Sequence, residues 1–160
     1  MLSVTMASYF TSQAYDAPAS LIWSILTDFP TWPRWFPNME TLEFENGHGP
    51  GAGAVLLALD DKQRWARWRV ADWKEPELLV CHFDGTNAPL SGQVQAAYLQ
   101  FGLLAEPDGC TLEVEIGAEG YGLVGDFFVS TTLGLSARRM LPRLVDAFTD
   151  HVIERCSEMP

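Results

Sequence analysis

A chain of 160 residues is the size of one domain and can bury about 70% of its unfolded surface, so a single domain with one sizeable core is expected over residues 1–160. With 48% apolar and 19% charged residues it is too apolar for a disordered chain, yet it holds no run of about 18 apolar residues that would span a bilayer. A net charge of -11 opposes nucleic acid, whose phosphates are held mainly by Lys and Arg, and opposes anionic membrane surfaces, so neither nucleic-acid binding nor membrane insertion is expected.

The first residues, "MLSVTMASYF", lack the basic and apolar regions of an export signal, which points to the cytoplasm. "SYFTSQAY" (Ser8 to Tyr15) has the β-branched and aromatic content of a strand. In "DAPAS", Asp16 is placed to cap a helix and Pro18 to sit in its first turn. That helix runs to about Thr27, with Leu21, Ile22, Ile25, Leu26 and Phe29 on one face. In "FPTWPRWFPNM" (Phe29 to Met39) the prolines leave room for about one helical turn between Pro30 and Pro37, so that Trp32, Trp35 and Phe36 can close one end of a core.

From Met39 the period becomes two, through "METLEFE", "AVLLAL", "RWARWRVADW", "ELLVCHF", "AAYLQFGLL" and "TLEVEIGAE". The turn signals "NGHGPGAG", "DDKQ", "KEPE" and "EPDG" separate them, which predicts a meander of consecutive antiparallel strands. After "GYG" the pattern is helical again, with Leu133, Ala137, Leu141, Leu144, Phe148 and Val152 in a stripe, and Pro142 predicted to kink or divide it. The class is α+β: a curved antiparallel sheet whose apolar face only the C-terminal helix is long enough to cover.

Strand alternation sorts the sheet into two faces. One carries Val55, Leu57 and Leu59; Trp68 and Val70; Leu79, Cys81 and Phe83; Leu99, Phe101 and Leu103; and Leu112, Val114 and Ile116. The other carries Arg67, Arg69, His82, Gln100, Glu113 and Glu115. Burial of the first face leaves the interior almost without acid-base groups. A bulge near "DDKQR" or "CHFDG" would reverse this and bring Arg67, Arg69 and His82 inside beside Trp65 and Trp73.

Other motifs are read as structural. "GYGLVG" (Gly120 to Gly125) matches G-x-G-x-x-G, but no parallel strand follows the helix and Asp126 would repel a pyrophosphate, so it reads as a turn. Asp146, Asp150, Glu154 and Glu158 read as a solvated helix face, and His151 with Glu154 as a helix-end charge arrangement. Cys81, Cys110 and Cys156 are odd in number without C-x-x-C spacing, and His48, His82 and His151 form no close ligand pair. Free thiols, no metal and no cofactor are expected.

Three blocks, "DAPASLIWSILTDFPTWPRWFPNM", "VADWKEPELLVCHFDG" and "DGCTLEVEI", resemble the START-like (SRPBCC) superfamily, in its polyketide cyclase/dehydrase and lipid-transport branch. The resemblance covers almost the whole chain. It implies a helix-grip fold with two short helices after the first strand, and a cavity between sheet and long helix for a small hydrophobic or aromatic ligand. With the facing above, the ligand-binding residues are Trp35, Phe36, Trp68, Val70, Phe83, Leu99, Phe101, Val114 and Phe128. The alternative is a polyketide cyclase/aromatase or dehydratase in which Arg69 holds a carboxylate or enolate and His82 is general acid or base. A third possibility is a protein-interaction domain of the co-chaperone-activator type, which an exposed apolar patch without an internal cavity would favour.

Overall fold

The computed structural model describes residues 6–45, 47–87, 94–120 and 134–159. Strand β1 (Met6–Tyr15) is followed by helix α1 (Ala19–Leu26) and a 3-10 helix, η1 (Phe29–Arg34). Strands β2 (Met39–Phe44), β3 (Val55–Asp60), β4 (Trp65–Lys74), β5 (Leu78–Thr86), β6 (Val94–Glu106) and β7 (Gly109–Gly120) come next, and then helix α2 (Gly134–Ser157). The strands form one seven-stranded antiparallel sheet in the order β1-β7-β6-β5-β4-β3-β2. From β2 to β7 each strand pairs with the next, as the short turns require. The result is the α+β helix-grip architecture.

The turn into α1 is built differently from the capping expected of Asp16. Pro18 is itself the N-cap, no side chain caps the helix, and the Pro18 carbonyl accepts from Leu21 and Ile22 at 3.0 and 3.2 Å. Proline suits this place because its extended backbone (ψ 149°) ends the strand direction and it has no amide to leave unpaired. At the other end the indole Nε1 of Trp32 donates to the Leu26 carbonyl at 2.6 Å, so η1 satisfies a terminal acceptor of α1 and fixes the angle between them.

The register decides which face each strand buries. Trp68 is opposite Phe83, Val70 opposite Cys81, Cys81 opposite Leu99, and Leu99 opposite Ile116, so these residues share the inner face as their alternation predicts. Strand β3 has the reverse phase: Leu56 and Ala58 are buried at 2% and 8% exposure, while Val55, Leu57 and Leu59 are only half-buried. The pairing of Leu56 with Trp68 imposes this, because directly opposed residues face the same side. Register shifts occur in β4 between Arg67 and Trp68 and between Val70 and Asp72. The second turns Trp73 inward opposite Leu79, against Trp23 at 5.4 Å, while Arg67 and Arg69 stay outside.

Helix α2 buries Ala137, Leu141, Leu144, Phe148 and Val152 as the stripe predicts; Leu133 lies outside the described residues. Pro142 does not divide it, and the helix is one element of 24 residues. Its side chain is exposed, so the hydrogen bond it forfeits lies on the solvent side while Leu141 and Leu144 hold the flanking turns to the core. The helix runs beside β1 in the same direction: Arg138 lies over the Tyr9 ring at 5.3 Å, and Tyr15 and Thr149 share a hydrogen bond of 2.9 Å.

Two glycines mark close approaches. A Cβ on Gly117 would lie 2.1 Å from the Tyr98 ring, and one on Gly109 would lie 2.0 Å from the Tyr15 carbonyl oxygen. Gly117→Ala and Gly109→Ala should each lower stability by about 1–3 kcal/mol or more in urea denaturation. Adding Tyr98→Ala should restore much of the loss at Gly117, where the obstacle is a side chain, and none at Gly109, where it is backbone.

Candidate functional site between sheet and helix

The space between the inner sheet face and α2 is closed at one end by aromatic rings. Trp32 lies 4.7 Å from Trp35 and stacks on Phe36 at 5.6 Å, while Trp35 meets Phe148 of α2 at 4.8 Å. Trp32 and Trp35 both touch Phe101 from the sheet side, at 5.5 and 6.4 Å. The prolines around these residues keep η1 to six residues, short enough to turn across the end of the sheet. Trp35 and Phe101 are 3% and 1% exposed, whereas Phe36 is half-buried.

Away from this plug the inner face becomes more open. Val70, Leu99 and Val114 are sealed, but Trp68, Phe83, Ile116 and Tyr9 are half-buried. Trp68 and Phe83 meet edge to face at 5.6 Å. Their neighbours in this part of the sheet are small, with Ala97 opposite Ala118. Phe128, expected to line the same space, and the "GYGLVG" turn beyond Gly120 fall outside the described residues.

Charge is sorted to the outer face. Arg69 and His82 are cross-strand partners, both exposed, and Arg67 donates to Glu45 at 2.7 Å and lies over Trp65. Tyr98 donates to Glu115 at 2.8 Å, and burial followed by that hydrogen bond pushes its hydroxyl up to about 12. The inner positions of β5 to β7 carry no charged side chain. Burial pushes the Cys81 thiol up to about 12, which leaves it a protonated, unreactive filler. Cys81, Cys110 and Cys156 are all free thiols. Among the described residues no cluster of His, Cys, Asp and Glu could hold a metal, and no helix is long and apolar enough to cross a membrane. A separate cleft between the β1–α1 turn and the β6–β7 hairpin is lined by Asp16, Glu106 and Asp108.

One polar residue of this interior corrects the sequence reading. His151 does not form a helix-end charge arrangement with Glu154: it is 3% exposed, neither ring nitrogen has a hydrogen-bond partner, and Glu154 is exposed. Burial, then Arg155 and Arg34, hold its pKa below the usual histidine value, against the opposing effect of Glu154 and Asp28. The signal was present in the spacing, since His151 follows Phe148 by three positions and Leu144 by seven and so falls on the buried stripe. The indole Nε1 of Trp35 is likewise buried and unpartnered.

A sequence model of the family described as polyketide cyclase / dehydrase and lipid transport matches residues 6–155. The chain belongs to this family. Its likeness to solved structures extends over nearly the whole fold at low identity. The Zhui aromatase/cyclase of a Streptomyces species is 15% identical with a TM-score of 0.75, over 95% of this chain and 96% of that one. Norcoclaurine synthase of Thalictrum flavum is 15% identical with a TM-score of 0.72, over 97% and 99%. A START superfamily protein of Mycobacterium smegmatis is 20% identical with a TM-score of 0.65, over 93% and 97%. No curated protein sequence matches the chain significantly. At these identities the structures establish a shared fold and leave activity to the residues.

The contrast between sealed and half-open inner residues is measurable. Phe101→Ala should cost about 3–5 kcal/mol by leaving a void in a packed region. Trp68→Ala should cost clearly less, because that ring is already half-exposed, and denaturant midpoints of the two variants give the comparison.

Proposed function

We propose that the chain binds a small hydrophobic or aromatic molecule between the inner sheet face and α2. The observation that carries this reading is the Trp68–Phe83 pair, half-buried on the same inner face that packs Phe101 away at the closed end. Covering such rings gains about 25 cal/mol for each Å² removed from water, and no charged group on the inner positions of β5 to β7 has to be desolvated. Trp68 and Phe83 are the side walls of the proposed site, with Val70, Leu99 and Val114 as its floor and Trp35, Phe36 and Phe101 as its closed end. Phe128 is proposed as a further contact. The family description includes both transport and cyclase activity. A cyclase mechanism through Arg69 and His82 draws no support from their exposed positions on the outer face, so binding is the preferred reading.

A naphthalene-type hydrophobic fluorophore should bind saturably at near 1:1 stoichiometry and be displaced by fatty acids or flat aromatic compounds. Trp68→Ala and Phe83→Ala should each weaken it by roughly tenfold, equivalent to about 1.4 kcal/mol, while Arg69→Ala and His82→Ala leave it unchanged. Absence of saturable binding by the folded protein rejects the reading. Loss of binding on Arg69→Ala with stability retained would instead favour the cyclase.

A further inference from the structure

Native interiors pair their buried polar groups almost without exception, so an imidazole with two unpartnered nitrogens at the junction of α2 with η1 calls for a reason. The charged groups around His151 are Arg34 from η1, Asp28 from the segment between α1 and η1, and Glu154 and Arg155 from α2 itself. Helix α1 contributes no charged side chain to the junction. Asp28 is committed to Arg155 at 2.9 Å, and Glu154 is exposed. Among the described residues the other buried side-chain atom without a partner, Trp35 Nε1, is a donor and cannot accept a hydrogen bond from an imidazolium.

A proton arriving on His151 therefore adds a buried positive charge to a ring without a hydrogen-bond partner, where the carboxylates of Glu154 and Asp28 offset only part of the opposing effect of burial and of Arg155 and Arg34. The closed junction disfavours protonation of the ring, and hydrating the charged ring calls for the C-terminal half of α2 to move away from the segment that covers it. Phe148, one turn before His151, packs on Trp35, so that movement also disturbs the aromatic plug.

We infer that this junction is an acid-sensitive latch: proton uptake by His151 releases the C-terminal half of α2 from η1 and opens the closed end of the interior. The link to a ligand rests on the binding function proposed above; the latch itself does not. The sign follows from the protonation states. An exposed histidine titrates near 6.5 and the closed form holds His151 below that, so the closed form keeps its full stability above about pH 6.5. As pH falls further the open form binds the proton first, and the opening equilibrium rises by at most about tenfold per pH unit until the closed form also protonates. Ordinary carboxylates titrate near pH 4, mostly below this window.

Urea denaturation of the full chain between pH 7.5 and 5 tests the latch. The wild type should show an unfolding constant rising by up to about tenfold per pH unit below 6.5, and His151→Phe a flatter profile. Equal slopes in the two proteins overturn the inference. Should His151→Phe fail to fold, the wild type answers alone by NMR: the His151 ring should titrate below about 6.5, and a value at or above that overturns the latch. The naphthalene fluorophore then reports on the interior. Its release by the wild type between pH 6.5 and 5, with retention by His151→Phe, supports opening of the closed end, and retention by both overturns it. A protein that never binds the fluorophore yet keeps its His151-dependent stability profile rejects the ligand reading and supports the latch.

Discussion

The inner face of the sheet is apolar along β5, β6 and β7, and α2 is the described helix long enough to shield that surface from water. Most other features follow from this one burial. It draws Leu141, Leu144 and Phe148 to the sheet, and it sets α2 alongside β1, where Tyr15 and Thr149 join the two elements. It also forces charge outward, to the face where Arg69, His82 and Glu115 lie. The gain from such burial grows with the apolar area removed from water, whereas a half-exposed ion pair on the outer face such as that of Arg67 with Glu45 adds little.

A helix laid across a curved sheet leaves a gap at its ends, and the proline-rich segment fills one of them. Trp32 is the centre of that filling: it caps the last turn of α1 through its indole nitrogen, stacks on Phe36 and reaches Phe101. Large rings serve here because one side chain, that of Trp32, meets both its own segment and the sheet. The result is an interior that is packed at one end and lined by half-buried rings further along.

Much of this was legible in the sequence, and the departures have physical causes. Element order and the α2 stripe followed from periodicity, and the meander from its turn residues. The facing of β3 did not, because "VLLAL" is apolar at every position and only its pairing with β4 selects Leu56 and Ala58. Trp73 turns inward through a register shift that no period-two pattern can announce. Asp16 has a capping side chain, but Pro18 already ends the strand with backbone alone. The spacing of His151 marks a core position, and its polar residue type, which suggests a helix-end charge, is an exception to the apolar pattern there. Among the proposed ligand contacts the facing of Trp68, Val70, Phe83, Leu99, Phe101 and Val114 was readable, while their unequal exposure depends on how far α2 and η1 reach.

The contacts that close the grip are also among the most distant in sequence between described residues. Tyr15 and Thr149 are 134 positions apart, and Asp28 and Arg155 are 127 apart. Because α2 follows every strand, a ribosome completes the sheet before it delivers the helix, and for that interval the apolar inner face has no permanent partner. Such contacts repay their loop-closure entropy only when the last segment docks, so assembly of this chain ends with α2 rather than growing outward from it. The nascent protein thus passes through a stage with an exposed greasy sheet and free strand edges, the kind of species that molecular chaperones shield and that otherwise associates with its own copies.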